Sequence, residues 1–132
     1  MGISQRWRMS MKMQAASRQI GDISVVDVRE RITVGEGNIM LREVVAGLIE
    51  KGNKQILLNL QGVDYVDSAG LGELVTTHTT LQRAGGQLKM VNVNQRVQEL
   101  LKATSLHKVF DVHEDESGAV QSFGPLAAGA TR

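Results

Sequence analysis

Residues 55–72 read QILLNLQGVDYVDSAGLG, and their order decides the fold. Gln55 to Leu60 is a mostly apolar run of strand length, the pattern of a strand buried on both faces as in a parallel sheet. Gly62 to Ser68 reads as a loop. After it Leu71, Leu74, Val75, His78 and Leu81 recur on one face of a helix, which Gly85-Gly86 closes. Strand, loop and helix in this order are the opening of a βαβ unit.

The same alternation continues on both sides. Upstream, Leu41, Val44, Val45, Leu48 and Ile49 form a helical apolar face that ends at Gly52-Asn53. Arg31 to Val34 and the loop Gly35-Glu36-Gly37-Asn38 precede it. Ile23 to Val28 (ISVVDV) is β-branched and strand-like, Gly21-Asp22 supplies turn chemistry, and residues 11–18 fit an antiparallel edge strand. Downstream, Leu88 to Val93 (LKMVNV) is a further strand. Asn94 can cap a helix carrying Val97, Leu100, Leu101 and Thr104, and Val109 to Val112 reads as a last short strand. Glu114-Asp115-Glu116 places negative charge at the start of a final helix with Ala119, Val120 and Phe123 on its apolar side.

The order β-β-α-β-α-β-α-β-α predicts an α/β fold: a mixed sheet with an N-terminal antiparallel hairpin strand, then parallel βα units with right-handed crossovers, packed by helices. Residues 11–123 are expected to form one domain, with residues 1–10 around Trp7 as a flexible arm and residues 124–132 as a flexible tail of small residues.

Composition narrows the function. The chain has 132 residues, the length of one ordinary domain. Lys plus Arg is 15 against 14 Asp plus Glu, so no basic excess exists to neutralise a nucleic acid backbone, and nucleic acid is not expected as a partner. Cysteine is absent, which removes disulfides, thiolate metal sites and a cysteine nucleophile. Aromatic residues are 3%, too few for stacking platforms on bases or sugars. The apolar runs are short of a bilayer span and no export segment is visible, so a cytoplasmic protein without membrane insertion is expected.

Chemistry concentrates at Asp64-Tyr65-Val66-Asp67-Ser68-Ala69-Gly70-Leu71-Gly72. This stretch lies beyond the carboxyl end of a strand, where open parallel sheets meet ligands and partners. Asp67 or Ser68 can cap the helix through a backbone amide. Ser68 then sits at the positive end of the helix dipole, a position that accommodates an anion such as a phosphate carried by the serine itself. Ala69, Gly70 and Gly72 would let a partner approach closely, although two glycines in a first turn cost about 1 kcal/mol each against alanine. The structural alternative is an ordinary cap with glycines at a close helix–sheet contact.

Other residues read as structural. His78 falls on an apolar helix face, about 15 Å along a helix from Ser68, which excludes it as that serine's base. His107 and His113 have no metal-ligand spacing, so no metal and no cofactor are expected. Asp111, Glu114, Asp115 and Glu116 read as a solvated face, and Thr76, Thr77, Thr79 and Thr80 as a polar helix flank. There is no Gly-x-Ser-x-Gly elbow and no Gly-Lys-Ser/Thr phosphate loop, and an enzyme is not expected.

The stretch Leu58 to Gly72 resembles the signature of the STAS domain, the family that includes bacterial anti-sigma factor antagonists. The resemblance continues through Gly85-Gly86, Leu88 to Val93, Val97 to Leu101 and Thr104-Ser105-Leu106, and covers roughly residues 11–123. It implies that Ser68 is a phosphoacceptor and that Asp67, Ser68, Ala69, Gly70, Leu71 and Thr33 meet a partner. That partner would be a serine kinase that is also the anti-sigma factor, bound when Ser68 is unmodified and released when it is phosphorylated; a PP2C-type phosphatase would restore the serine. One departure stands out. Many antagonists carry Gly-x-Leu-Asp after the second strand, where this chain has Glu30-Arg31-Ile32-Thr33, so a hydroxyl replaces the carboxylate. The alternative within the family is an adaptor subunit of a membrane lipid ABC transport system, with no serine phosphorylation.

Overall fold

The unbroken apolar runs of the central strands call for a sheet with two covered faces, and the computed structural model of the chain has one; it describes residues 8–9, 13–33 and 36–123. Its elements are β1 (Arg8–Met9), β2 (Met13–Ile20), β3 (Ile23–Ile32), α1 (Glu36–Glu50), β4 (Gln55–Val66), α2 (Ser68–Arg83), β5 (Gln87–Val91), α3 (Gln95–Ala103), a 3-10 turn (Leu106–Lys108), β6 (Asp111–His113) and α4 (Glu116–Ser122). The six strands lie in the order of the sequence, β1 to β6. β1–β2 and β2–β3 pair antiparallel; β3–β4, β4–β5 and β5–β6 pair parallel. The α/β class and the mixed sheet are as the sequence predicts. Arg8–Met9, read from sequence as part of the arm, pair with Ala15 and Gln14; the rest of that arm and the tail at 124–132 lie outside the described residues.

Monotonic strand order with crossovers of one hand puts successive helices on the same face. Accordingly α1, α2 and α3 share one core with the sheet: Val26, Ile56, Leu58 and Met90 meet Leu41, Val45, Leu74, Leu81 and Leu101. The strand residues between them face the other way. Ile23, Val25, Leu57 and Val91 form a smaller second core with Ala119 of α4 and with Phe123, which follows that helix, and Ile20 and Val120 pack against it.

Two differences from the sequence reading shape the site. The expected loop from Gly62 is instead the second half of β4, which runs on to Val66 beside β3, with Gly62 opposite Arg29 and Val66 opposite Ile32. β5 pairs with β4 only as far as Asn59, so this half of β4 has a neighbour on one side and tolerates exposed Gln61, Gly62, Asp64 and Tyr65. Its partner is bent by register shifts at Asp27/Arg29 and Glu30/Arg31, and Glu30 sits at φ 81°, the left-handed region that favours glycine. The last strand begins at Asp111 rather than Val109, because the 3-10 turn takes up Leu106–Lys108 and leaves Val109 exposed.

Candidate functional site at the start of α2

Asp67 turns the chain from β4 into α2. Its backbone is extended (φ −95°, ψ −177°), its side-chain Oδ1 accepts from the Gly70 N–H at 2.7 Å, and its carbonyl accepts from the Leu71 N–H at 2.8 Å. Of the two possible caps it is Asp67 that satisfies the helix end. Ser68 is the first helical residue, exposed, and its hydroxyl makes no hydrogen bond among the described residues. The fold leaves that hydroxyl unused, at the positive end of a 16-residue helix.

The end of β3 fixes this helix start. The Asp67 N–H donates to the Ile32 carbonyl at 3.2 Å. Gly70 packs on the same carbonyl, and a Cβ built there would stand 1.9 Å from the Ile32 oxygen. Gly70 is therefore glycine for the sheet contact and offers no landing room to a partner. Gly72 faces open space. Of the six residues expected to meet a partner, Ser68 is exposed, Asp67 and Ala69 are half-buried, and Gly70, Leu71 and Thr33 are buried. Thr33 follows Ile32, and its buried hydroxyl has no hydrogen-bond partner among the described residues.

Ser68 and Asp67 continue from Tyr65 and Val66 into one wall of a mainly apolar cleft of about 400 Å³. Arg96, Val97, Glu99 and Leu100 of α3 form the opposite wall. Tyr65 is 43% exposed and presents a large apolar surface to the same cleft as the serine. Asp64, at the start of the same stretch, lines a different and larger hollow of about 610 Å³ together with Arg18, Asp27 and Asn59.

That hollow rests on polar contacts the sequence reading missed. Arg18 donates from Nε to Asp27 at 2.7 Å and from Nη2 to Glu116 of α4 at 2.6 Å, and Asn59 donates to Asp27 at 2.7 Å. The two carboxylates raise the Arg18 pKa further above its ordinary value, Glu116 more than Asp27. Another missed residue is Glu73, buried on α2 and paired with the exposed Arg42 of α1 at 2.8 Å. No local pattern announces either cluster, because the partners are far apart in sequence.

The remaining groups have structural employment. Asp115 caps α4, Glu116 pairs with Arg18, and Asp111 pairs with Lys89 and His113. Thr77 is buried and donates to the Glu73 carbonyl. His78 stacks edge-on with Phe110 at 5.7 Å between centroids. Ser122, His113 and Asp111 meet, but both neighbours approach the same ring nitrogen, Nε2, so the histidine cannot relay a proton between them. Among the described residues no group of three His, Asp or Glu could hold a metal ion, and no helix is long and apolar enough to cross a membrane.

Comparison with known proteins agrees with this architecture. The STAS domain model matches residues 14–119. The chain is 35% identical over 82 residues to the anti-sigma-B factor antagonist of Bacillus subtilis, covering 62% of this chain and 74% of that protein. Two solved structures share the fold at low identity. A Thermotoga maritima protein described as a candidate anti-sigma factor antagonist superposes with a TM-score of 0.75 at 22% identity, covering 80% of this chain and 91% of that one. The Bacillus cell fate determinant SpoIIAA in its phosphorylated form gives 0.61 at 14%, covering 91% and 99%. With a strand-to-helix serine turn at the carboxyl end of a mixed sheet, and a family match over most of its length, the chain belongs to the STAS domain family.

Proposed function

We propose that this chain is a regulatory binding module of the anti-sigma factor antagonist type, switched by phosphorylation of Ser68. The observation that carries the reading is the exposed, unengaged Ser68 hydroxyl at the first position of α2, in a chain related to an anti-sigma-B factor antagonist. The unmodified chain binds an anti-sigma factor that is a serine kinase; the kinase transfers phosphate to Ser68 and is released; a PP2C-type phosphatase restores the serine. That one member of the fold has been solved in a phosphorylated form supports a phosphate being compatible with it.

The mechanism is electrostatic. A phosphate adds about −1.5 to −2 charges at pH 7 to a surface whose formal total is +1. At the start of α2 the domain tolerates this charge, because the helix dipole favours it. A partner packed over Ser68 and the Tyr65 surface would have to bury it beside the Asp67 carboxylate. A penalty of about 2.7 kcal/mol lowers affinity roughly a hundredfold. No change of fold is needed. The test is incubation with ATP and the serine kinases encoded beside its gene, followed by localisation of phosphate by mass spectrometry. Modification at Ser68 is expected; its absence with every cognate kinase overturns the switch.

A further inference from the structure

Arg96 is placed where the fold gives it no employment. It is the second residue of α3, so its guanidinium lies at the positive end of that helix, where a cation is disfavoured. It is exposed and makes no ion pair or hydrogen bond among the described residues. Glu99, one turn further on, is engaged by Gln95 at 3.2 Å. By contrast Arg18 and Arg42 each hold a carboxylate. Yet Arg96 lines the same cleft as Ser68, from the opposite wall.

We propose that Arg96 is the intramolecular partner of a phosphate on Ser68: across the cleft between α2 and α3 the guanidinium pairs with the phosphoryl oxygens and draws the two helix starts together over Val66, Val97 and Leu100. The reading rests on Ser68 as the modified residue and adds a second element to the switch. Modification then does more than place charge in an interface. It covers the apolar cleft beside Tyr65 that the unmodified chain presents. Guanidinium is suited to this because its planar fork donates two parallel hydrogen bonds to a phosphate. The charged and titratable groups facing the phosphate are Asp67 and Tyr65 from the β4–α2 wall and Arg96 and Glu99 from α3. The two carboxylates oppose its second ionisation, and Arg96 favours it.

The test uses the full chain with phosphoserine genetically encoded at position 68, so that no kinase is required. Phosphorus NMR titration is run on this protein and on its Arg96→Gln and Arg96→Lys versions. With Arg96 present, the phosphate midpoint is expected about half a pH unit lower than with glutamine, with lysine between them, and the difference shrinks in high salt. Equal midpoints for arginine and glutamine overturn the proposal. So does Arg96→Gln weakening kinase binding by the unmodified chain while leaving the midpoint in place, which would make Arg96 a partner contact. Failure of every kinase to modify Ser68 would remove the switch but leave this titration unaffected, so the two readings fail separately.

Discussion

The Ile32 carbonyl touches the Cα of Gly70, and the gap admits no side chain: a Cβ at position 70 would lie 1.9 Å from the oxygen and 2.6 Å from its carbon. Gly72, two residues on, has nothing within 4 Å of where its Cβ would be. The two glycines of one helical turn therefore answer to different constraints. Gly70→Ala must push α2 off β3 and is expected to destabilise by about 3 kcal/mol, the upper range for overpacking. Gly72→Ala removes a helix-interior glycine at an open site and should stabilise by about 1 kcal/mol. Urea unfolding of the two variants measures both; equal effects would refute the contact.

Glu30 holds φ 81° at the bulge of β3 without being glycine. A left-handed conformation costs a residue with a Cβ about 1–2 kcal/mol, part of which a glycine gives back as unfolded-chain entropy. Glu30→Gly is expected to raise stability by about 0.5–1 kcal/mol, seen as a higher Tm. It also restores the family's glycine at that point, so the bulge geometry should be unaltered.

Substitutions at Ser68 separate binding from folding. Ser68→Ala should bind the anti-sigma partner as the parent chain does, yet escape release by ATP. Ser68→Asp puts a carboxylate at the first position of α2, where the helix dipole favours it by about 0.3–1 kcal/mol, so its Tm should hold or rise. Its partner affinity, measured by calorimetry, should fall at least tenfold. Equal binding by the two variants would remove charge as the basis of the switch.

Stability should depend on Asp111 in acid. Burial pushes this carboxyl up, but hydrogen bonds from Lys89 and His113, with their charges, outweigh it and leave its pKa below the ordinary value of 3.8. A carboxyl lowered by folding contributes stability above its unfolded pKa and loses it as pH falls through the folded one. Asp111→Asn should therefore be less stable than the parent at pH 7, where Lys89 is left buried without its counter-charge, and the difference should narrow below pH 4. Denaturation midpoints from pH 2 to 7 check the sign.

What could be read from the chain itself depended on how local the cause was. Ile56 to Leu58 are buried on both sheet faces, and their unbroken apolar run says so. Asn94 caps α3 by accepting from the Val97 N–H at 2.8 Å, a contact made within four residues. The second half of β4 was not legible, because its exposed residues alternate with buried Val63 and Val66 around a glycine that mimics a turn. Only the pairing with β3 reveals it. At the site, the serine turn was legible as a type of position, while the choice of Asp67 as cap, the burden on Gly70 and the cleft shared with Arg96 all depend on elements meeting in space. The Arg18–Asp27–Glu116 contacts were invisible for the same reason, one of them spanning 98 positions.

The strand order has a kinetic consequence. Because neighbours in the sheet are neighbours in the chain, every strand that leaves the ribosome finds its partner already made, and no strand must be inserted between two others. The hairpin β2–β3 can serve as the template, each βα unit adding one strand to its growing edge. α4 departs from this succession, since it reaches back across the finished sheet for Arg18. Its docking is a long-range closure, and it seals the second face only after the platform carrying Ser68 is complete.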